Sequence, residues 1–281
     1  MMECCNCLLN SSEESLVMYN DQFYCEECMK LVKYPLNYRQ IRNDFESFIT
    51  DMKANNEESI FALSGGKDSV VALKILVQNY DVSPKVFTVD HGFKNKLIME
   101  NCMSIVQRYR LDWYISRVER EVIDEIKMKA SCGDLPCIHC NNLWKNKKFY
   151  DVCQKFNVKY LFTGGDTPVN GSAVFKKEQI PGVIIGMPLV PEKFTEEEIY
   201  KQAFDIGWVD PQIEGLDTDC IAVGIALENY RRNTGRGYHI EEKRHLSQKT
   251  RYGIMTKEYA NEILTSKKNV SEKEVEFFEN V

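Results

Sequence analysis

"FALSGGKDSVVAL" (Phe61–Leu73) joins an apolar run to a helical pattern through six residues, Ser64-Gly65-Gly66-Lys67-Asp68-Ser69. The run "SIFALS" (59–64) reads as a buried strand, and "VVALKILVQNY" (70–80) as the helix after it. Two glycines let the backbone approach an anion closely, and a helix N-terminus directly behind them presents free N–H groups. Lys67 adds a point charge, while Ser64 and Ser69 add hydroxyl donors. Such a turn suits a phosphate or pyrophosphate. It is not a Walker A loop, which has four residues between its first glycine and its Gly-Lys pair. The bland alternative is a glycine-rich strand–helix turn that holds nothing.

Outward from this turn the same alternation continues. "KVFTVD" (85–90) predicts a second strand followed by a helix near 95–109, and "LDWYIS" (111–116) a third followed by a helix near 119–129. "LWKNKKFYDVCQKFN" reads as helix and "KYLFTGG" (159–165) as a fourth strand. Strand and helix alternating four times predict an α/β fold, a doubly wound parallel sheet covered on both faces. In open parallel sheets ligands bind outside the carboxyl ends of the strands. There "FTVDHG" places Asp90, His91 and Gly92, and "LFTGGD" places Gly164, Gly165 and Asp166. Asp90 and Asp166 have a second reading as simple helix caps.

Four regions can be separated. Residues 1–33 are short and cysteine-rich, and 34–58 carry Ile41, Phe45, Phe48, Ile49 and Met52 at helical spacing, as in an amphipathic connecting helix. The α/β pattern occupies 59–191. The region 192–281 reads as mostly helical, through "EEEIYKQAFDIG", "IAVGIALENYRR" and "TKEYANEILTS". Its charged end, "SKKNVSEKEVEFFENV", reads as a surface helix or a partly disordered tail.

The 281 residues suit one large domain with small attachments. No run approaches the roughly 18 apolar residues of a membrane span, and no basic-then-apolar leader pattern opens the chain, so the cytoplasm is the expected location. The net charge of −6 counts against a protein whose main task is gripping nucleic acid. A local basic patch is still compatible with it, which makes the charge a discount on tRNA and not a veto.

Eleven cysteines are many for a reducing compartment, where short cysteine spacings point to metal or redox chemistry. Cys4-x2-Cys7, seventeen residues, then Cys25-x2-Cys28 has the spacing of a closed four-thiolate Zn2+ site, structural in role. Cys5 is left over. In "ASCGDLPCIHCNN" (130–142), Cys137 and Cys140 supply half a site, with Cys220 as the candidate third ligand. Three thiolates around a 4Fe-4S cluster leave one iron open to bind sulfide. Competing readings are zinc with His139 as fourth ligand, a thiol relay or persulfide pair, and inert cysteines, with Cys132 and His139 as neighbours or alternate ligands. Cys102 and Cys153 lie on predicted helices and read as ordinary buried thiols.

Together the motifs resemble the adenine-nucleotide alpha-hydrolase, or pyrophosphate-loop, superfamily. Two branches are close: cluster-dependent tRNA thiolation enzymes and N-acetyl sugar amidotransferases. The first resembles this chain in the N-terminal cysteines, the Ser-Gly-Gly-Lys-Asp-Ser loop, the Cys-x2-Cys and a distant third cysteine. The second resembles it in "GDLPCIHC", "GWVDPQIEGLDTDC" and "YGIMTKEYANEIL". The resemblance implies cleavage of ATP between its α and β phosphates with Mg2+. It implies a nucleotide site formed by Ser64, Gly65, Gly66, Lys67, Asp68, Ser69, Asp90, His91 and Gly164. Lys67, Asp68, Asp166, Cys137, Cys140 and Cys220 are the implied catalytic set. A second C-terminal cysteine module, expected of the tRNA branch, is missing, and the nitrogen branch needs ammonia from a partner glutaminase. The expectation is therefore ATP-dependent sulfur transfer onto a carbonyl or amide oxygen of a small-molecule or carrier-bound substrate, with a separate sulfur donor. A homodimer is compatible with it. The alternatives are nitrogen transfer and a non-catalytic nucleotide- and zinc-binding protein.

Overall fold

The computed structural model describes residues 2–140, 144–211, 220–266 and 270–281, and the side chains of 138 and 139 lie outside the description. The N-terminal unit is a hairpin, β1 (Leu16–Tyr19) and β2 (Gln22–Cys25), followed at once by α1 (Glu26–Lys33). Its centre is Cys4, Cys7, Cys25 and Cys28, all fully buried. So small a unit has little other core.

α2 (Tyr38–Ala54) starts at Asn37, whose side chain accepts from Gln40 N. Ile41, Phe45, Ile49 and Met52 form its buried stripe. The helix expected to be a connection is part of the main core: Phe45 packs edge-on against Tyr80 and Phe162.

The α/β unit runs β3 (Ser59–Ala62), α3 (Lys67–Gln78), β4 (Lys85–Asp90), α4 (Lys96–Tyr109), β5 (Trp113–Arg117) and α5 (Arg120–Cys132). It continues through the short α6 (Pro136–Cys140), α7 (Asn146–Lys155), β6 (Tyr160–Thr163), β7 (Val174–Lys176) and β8 (Ile184–Gly186). Strand order is β5-β4-β3-β6-β8-β7, with only the edge strand β7 antiparallel. Phe61, Leu63 and Phe162 face α2, α3 and α4, whereas Ile60 and Leu161 face Val152 and Cys153 of α7. Both faces are thus covered, and the expected α/β class holds. The two short strands β7 and β8 extend the expected four-stranded sheet.

This order places the topological switch between β3 and β6. From β3 the chain winds outward to β5, then returns to β3's other side. Ala62 pairs with Thr163, so the loops after β3 and β6 leave the sheet level with each other. A crevice opens at such a point.

The remaining helices are α8 (Glu196–Asp205), α9 (Ile221–Thr234), α10 (Ile240–Arg251), α11 (Lys257–Thr265) and α12 (Glu272–Asn280). α8 opens with a Thr195–Glu198 capping box. The charged tail forms α12, which buries Phe278 against Phe93 beside β4's carboxyl end. Among the described residues, no helix is long and apolar enough to cross a membrane.

Candidate active site

The six-residue turn after β3 forms a preorganised cradle. Gly65 has φ +95°, and a Cβ there would lie 2.5 Å from Ile98 O, so only glycine fits. Ser69 Oγ accepts from Gly65 N at 3.1 Å, and Ser64 Oγ accepts from Gly66 N at 3.2 Å. The loop carbonyls are held from outside: Lys94 Nζ donates to Ser64 O at 2.9 Å and Trp208 Nε1 to Gly65 O at 3.0 Å. Gly66 caps α3 without a side-chain hydrogen bond, which leaves the helix N-terminus open to an anion. Gly164 seats the neighbouring loop against this helix; a Cβ there would lie 2.5 Å from Ser69 Cα.

Two buried lysines and three carboxylates meet at the mouth of the cradle. Lys67 Nζ lies 2.8 Å from Glu196 Oε1 and 3.2 Å from Asp68 Oδ2. Lys249 Nζ lies 3.0 Å from both Glu196 Oε2 and Asp166 Oδ2, and 4.0 Å from Asp68 Oδ2. Burial opposes the charge on each lysine, but the carboxylates outweigh it and hold both above their ordinary values. Burial likewise opposes the charges of Asp68 and Glu196, and the two ammonium groups pull both below the usual carboxylate range. The Tyr200 ring covers Lys67, with its centroid 5.1 Å from Nζ.

Glu196 and Lys249 were not among the expected site residues. Glu196 is one of three consecutive glutamates at the start of α8, and Lys249 lies on a polar helix with several other charges. Nothing local distinguishes either one. Tertiary contact alone selects them.

Asp68, Asp166 and Glu196 have ligand oxygens all within 4.8 Å of one another. Although Lys249 is near, Asp166 Oδ2 is buried without an aligned hydrogen bond. A hard divalent cation such as Mg2+ fits this all-oxygen donor set and would satisfy that oxygen.

Cys137, Cys140 and Cys220 come together on one cavity of about 920 Å³, which Ser64, Lys67 and Asp68 also line. Cys220 is the N-cap of α9, the other two lie on α6, and all three touch one apolar cluster. Among the described residues, the sets with ligand atoms mutually within 4.8 Å are the carboxylate trio and the four N-terminal cysteines. Cys137, Cys140 and Cys220 are not among these sets and share only the cavity and the apolar cluster. The His139 side chain and the Asn141–Asn142 segment lie outside the described residues. Cys132 is exposed at the end of α5, and Cys102 and Cys153 are buried.

His91 and Gly164 line the same cavity. Asp90 is placed differently: its Oδ1 accepts from Gly92 N at 2.9 Å, and its Oδ2 lies 3.2 Å from Arg117 Nε. It closes a turn beneath His91.

The four N-terminal sulfurs lie within 4.8 Å of one another, with Cys7 and Cys25 at 3.7 Å. Tetrahedral zinc with Zn–S near 2.3 Å sets sulfurs about 3.8 Å apart, so the cage fits Zn2+.

A family profile described as the phosphoadenosine phosphosulfate reductase domain matches residues 58–165. An uncharacterized protein of Methanocaldococcus jannaschii is 30% identical over 269 residues, covering 95% of this chain and 94% of that one. The chain belongs to the pyrophosphate-loop (adenine-nucleotide alpha-hydrolase) superfamily, in one family with that archaeal protein. Among solved structures, the U34-tRNA thiolase NcsA from Methanococcus maripaludis, with its 4Fe-4S cluster, matches at TM-score 0.44 and 17% identity. That match covers 100% of this chain and 97% of the other. Phosphoadenylyl-sulfate reductase from Candida auris, in a phosphate complex, matches at TM-score 0.42 and 12% identity, over 69% and 90%.

Proposed function

We propose that this protein is an ATP-pyrophosphatase-type sulfurtransferase. A carbonyl or amide oxygen of the substrate attacks the α phosphorus of ATP, the bond to the bridging oxygen breaks, and pyrophosphate leaves. A sulfide sulfur then attacks the activated carbon, the carbon–oxygen bond breaks, and AMP departs with the original oxygen. The observation that carries this reading is the shared cavity: three cysteines remote in sequence open onto the space that Lys67 and Asp68 line.

The loop N–H groups and the α3 N-terminus bind the phosphates, and Lys67 supports the charge that develops on the leaving pyrophosphate. Asp68, Asp166 and Glu196 would hold Mg2+, which supplies charge neutralisation and orientation of the phosphates. Lys249 sets the orientation of these carboxylates. Cys137, Cys140 and Cys220 would hold a 4Fe-4S cluster, whose uncoordinated iron supplies a place to bind sulfide. The N-terminal cysteines would hold a structural Zn2+. The substrate we propose is a small molecule or a carrier-bound amide in the cytoplasm, served by a separate sulfur donor.

Protein prepared without oxygen is expected to contain about four iron and four labile sulfide per chain beside one zinc. AMP formation should disappear in Lys67→Ala with the fold retained. Colourless protein without iron sinks the sulfur reading, and product made from ammonium ion in place of sulfide reassigns the enzyme to nitrogen transfer.

A further inference from the structure

α10 is held by the N-terminal module at both ends. Near its start, Lys243 Nζ and Tyr238 Oη each donate to Glu13 Oε1 at 2.8 Å, and Lys243 is buried. Near its middle, Leu246 packs in one apolar cluster with Leu8. At its end, Arg251 Nε donates to Cys28 Sγ at 3.4 Å and Nη2 to Cys25 Sγ at 3.7 Å. Just beyond, Lys257 Nζ donates to Cys4 O at 3.0 Å. These contacts join residues more than 220 positions apart, so they were not legible as local pattern.

Between those anchors lies Lys249, two residues before Arg251, in contact with all three site carboxylates. The chain then turns back: Ile254 N donates to Lys249 O at 2.9 Å, and Glu196 N donates to Ile254 O at 2.7 Å. A short path therefore runs from the cysteine sulfurs through the Arg251 side chain and two residues of backbone to Lys249, and on through two main-chain hydrogen bonds to Glu196. A guanidinium gains its strongest hydrogen bonds from charged acceptors, and four thiolates on zinc carry net negative charge that it partly offsets.

We propose that Arg251 is a positioning residue through which the thiolate–zinc module sets the geometry of Lys249 and Glu196, so that the metal state of the module controls nucleotide binding. This rests on the pyrophosphate-loop reading of the site, and it adds a regulatory input to a module otherwise taken as purely structural. With the cage filled, Arg251 is anchored and the end of α10 is fixed. With the cage emptied, the four sulfurs are no longer held in one arrangement, Arg251 loses its fixed anchor, and Lys249 leaves the carboxylates.

The test uses the full chain with Mg2+-ATP as probe, and reads binding in place of turnover. Arg251→Met is expected to keep one zinc, weaken ATP binding about tenfold, and raise amide hydrogen exchange in α10 while α3 and β6 stay protected. Arg251→Lys should restore most of the affinity. Chelating zinc from the wild type should weaken ATP binding to a similar degree, with little further effect in Arg251→Met, because coupled changes do not add. Should Arg251→Met fail to fold, Arg251→Gln, which also removes the guanidinium from the two cysteine sulfurs, serves instead with the same expectations. Unchanged ATP affinity in the folded variant, or additive losses on chelation, overturns the proposal. A wild-type protein that binds no ATP overturns the underlying functional reading instead.

Discussion

The Lys249 ammonium lies 3.0 Å from the Glu196 carboxylate, across 53 positions of sequence, and both are buried where the phosphate loop opens. Both residues belong to the helical C-terminal region, and they reach the α/β unit through Asp166, 3.0 Å from Lys249, and Lys67, 2.8 Å from Glu196. The active site is therefore completed by elements outside the nucleotide-binding pattern, and several consequences can be measured.

Lys249→Ala removes the ammonium that lies 3.0 Å from both Asp166 and Glu196. Breaking a buried ion pair on one side costs about 3–5 kcal/mol when the remaining charge loses its partner, and here Asp166 loses the ammonium 3.0 Å away while Glu196 keeps Lys67. Urea unfolding at neutral pH should show a loss of that size, and AMP formation should fall by at least about a hundredfold. A variant as stable as the parent would remove Lys249 from the network.

Stability should depend on pH with two limbs. Asp68 and Glu196 are held below their ordinary values, so their contribution is complete above about pH 5 and disappears as pH falls through the folded values. Lys67 and Lys249 are held above theirs, so their contribution is complete below about pH 10 and disappears as pH rises further. Denaturant midpoints measured from pH 3 to 10 should show a plateau and then an acid decline. The deficit of Lys249→Ala should narrow along that decline, as Asp68 and Glu196 take up protons.

Gly164→Ala tests the contact between the two loops. Its new Cβ would lie 2.5 Å from Ser69 Cα and 2.7 Å from Ser69 N, both backbone atoms that cannot move without shifting α3. Overpacking of this kind costs about 1–3 kcal/mol. Isothermal titration should find weakened ATP binding along with that loss, whereas a purely spacing role for Gly164 predicts no change in affinity.

The two cysteine sets should separate in metal analysis. Cys4→Ser is expected to lose zinc and keep iron, and Cys220→Ser to lose iron and keep zinc. Loss of both metals in either variant would contradict two independent centres.

Much of this architecture is legible in the chain itself. β3, β4, β5 and β6 are apolar enough to read as strands without help, and the SGGKDS turn marks where the first of them meets its helix. β7 and β8 escape notice because three residues each carry too little pattern to stand out from a loop. α10 escapes for the opposite reason. "IEEKRHLSQKTR" is polar almost throughout, so it shows no strong apolar stripe, although it carries both Lys249 and Arg251.

Local chemistry was thus settled by sequence: glycine where φ must be positive, serine and lysine beside an open helix end, and paired cysteines at metal-binding spacing. The tertiary structure decided the company these residues keep. It gathered Cys220 with Cys137 and Cys140 on one cavity, turned Asp90 into a turn closure, and selected Glu196 and Lys249 from many charged neighbours. A spacing rule acts over a few residues, because backbone geometry links only near neighbours. Groups 50 to 230 positions apart meet only after burial has fixed the packing of every helix between them.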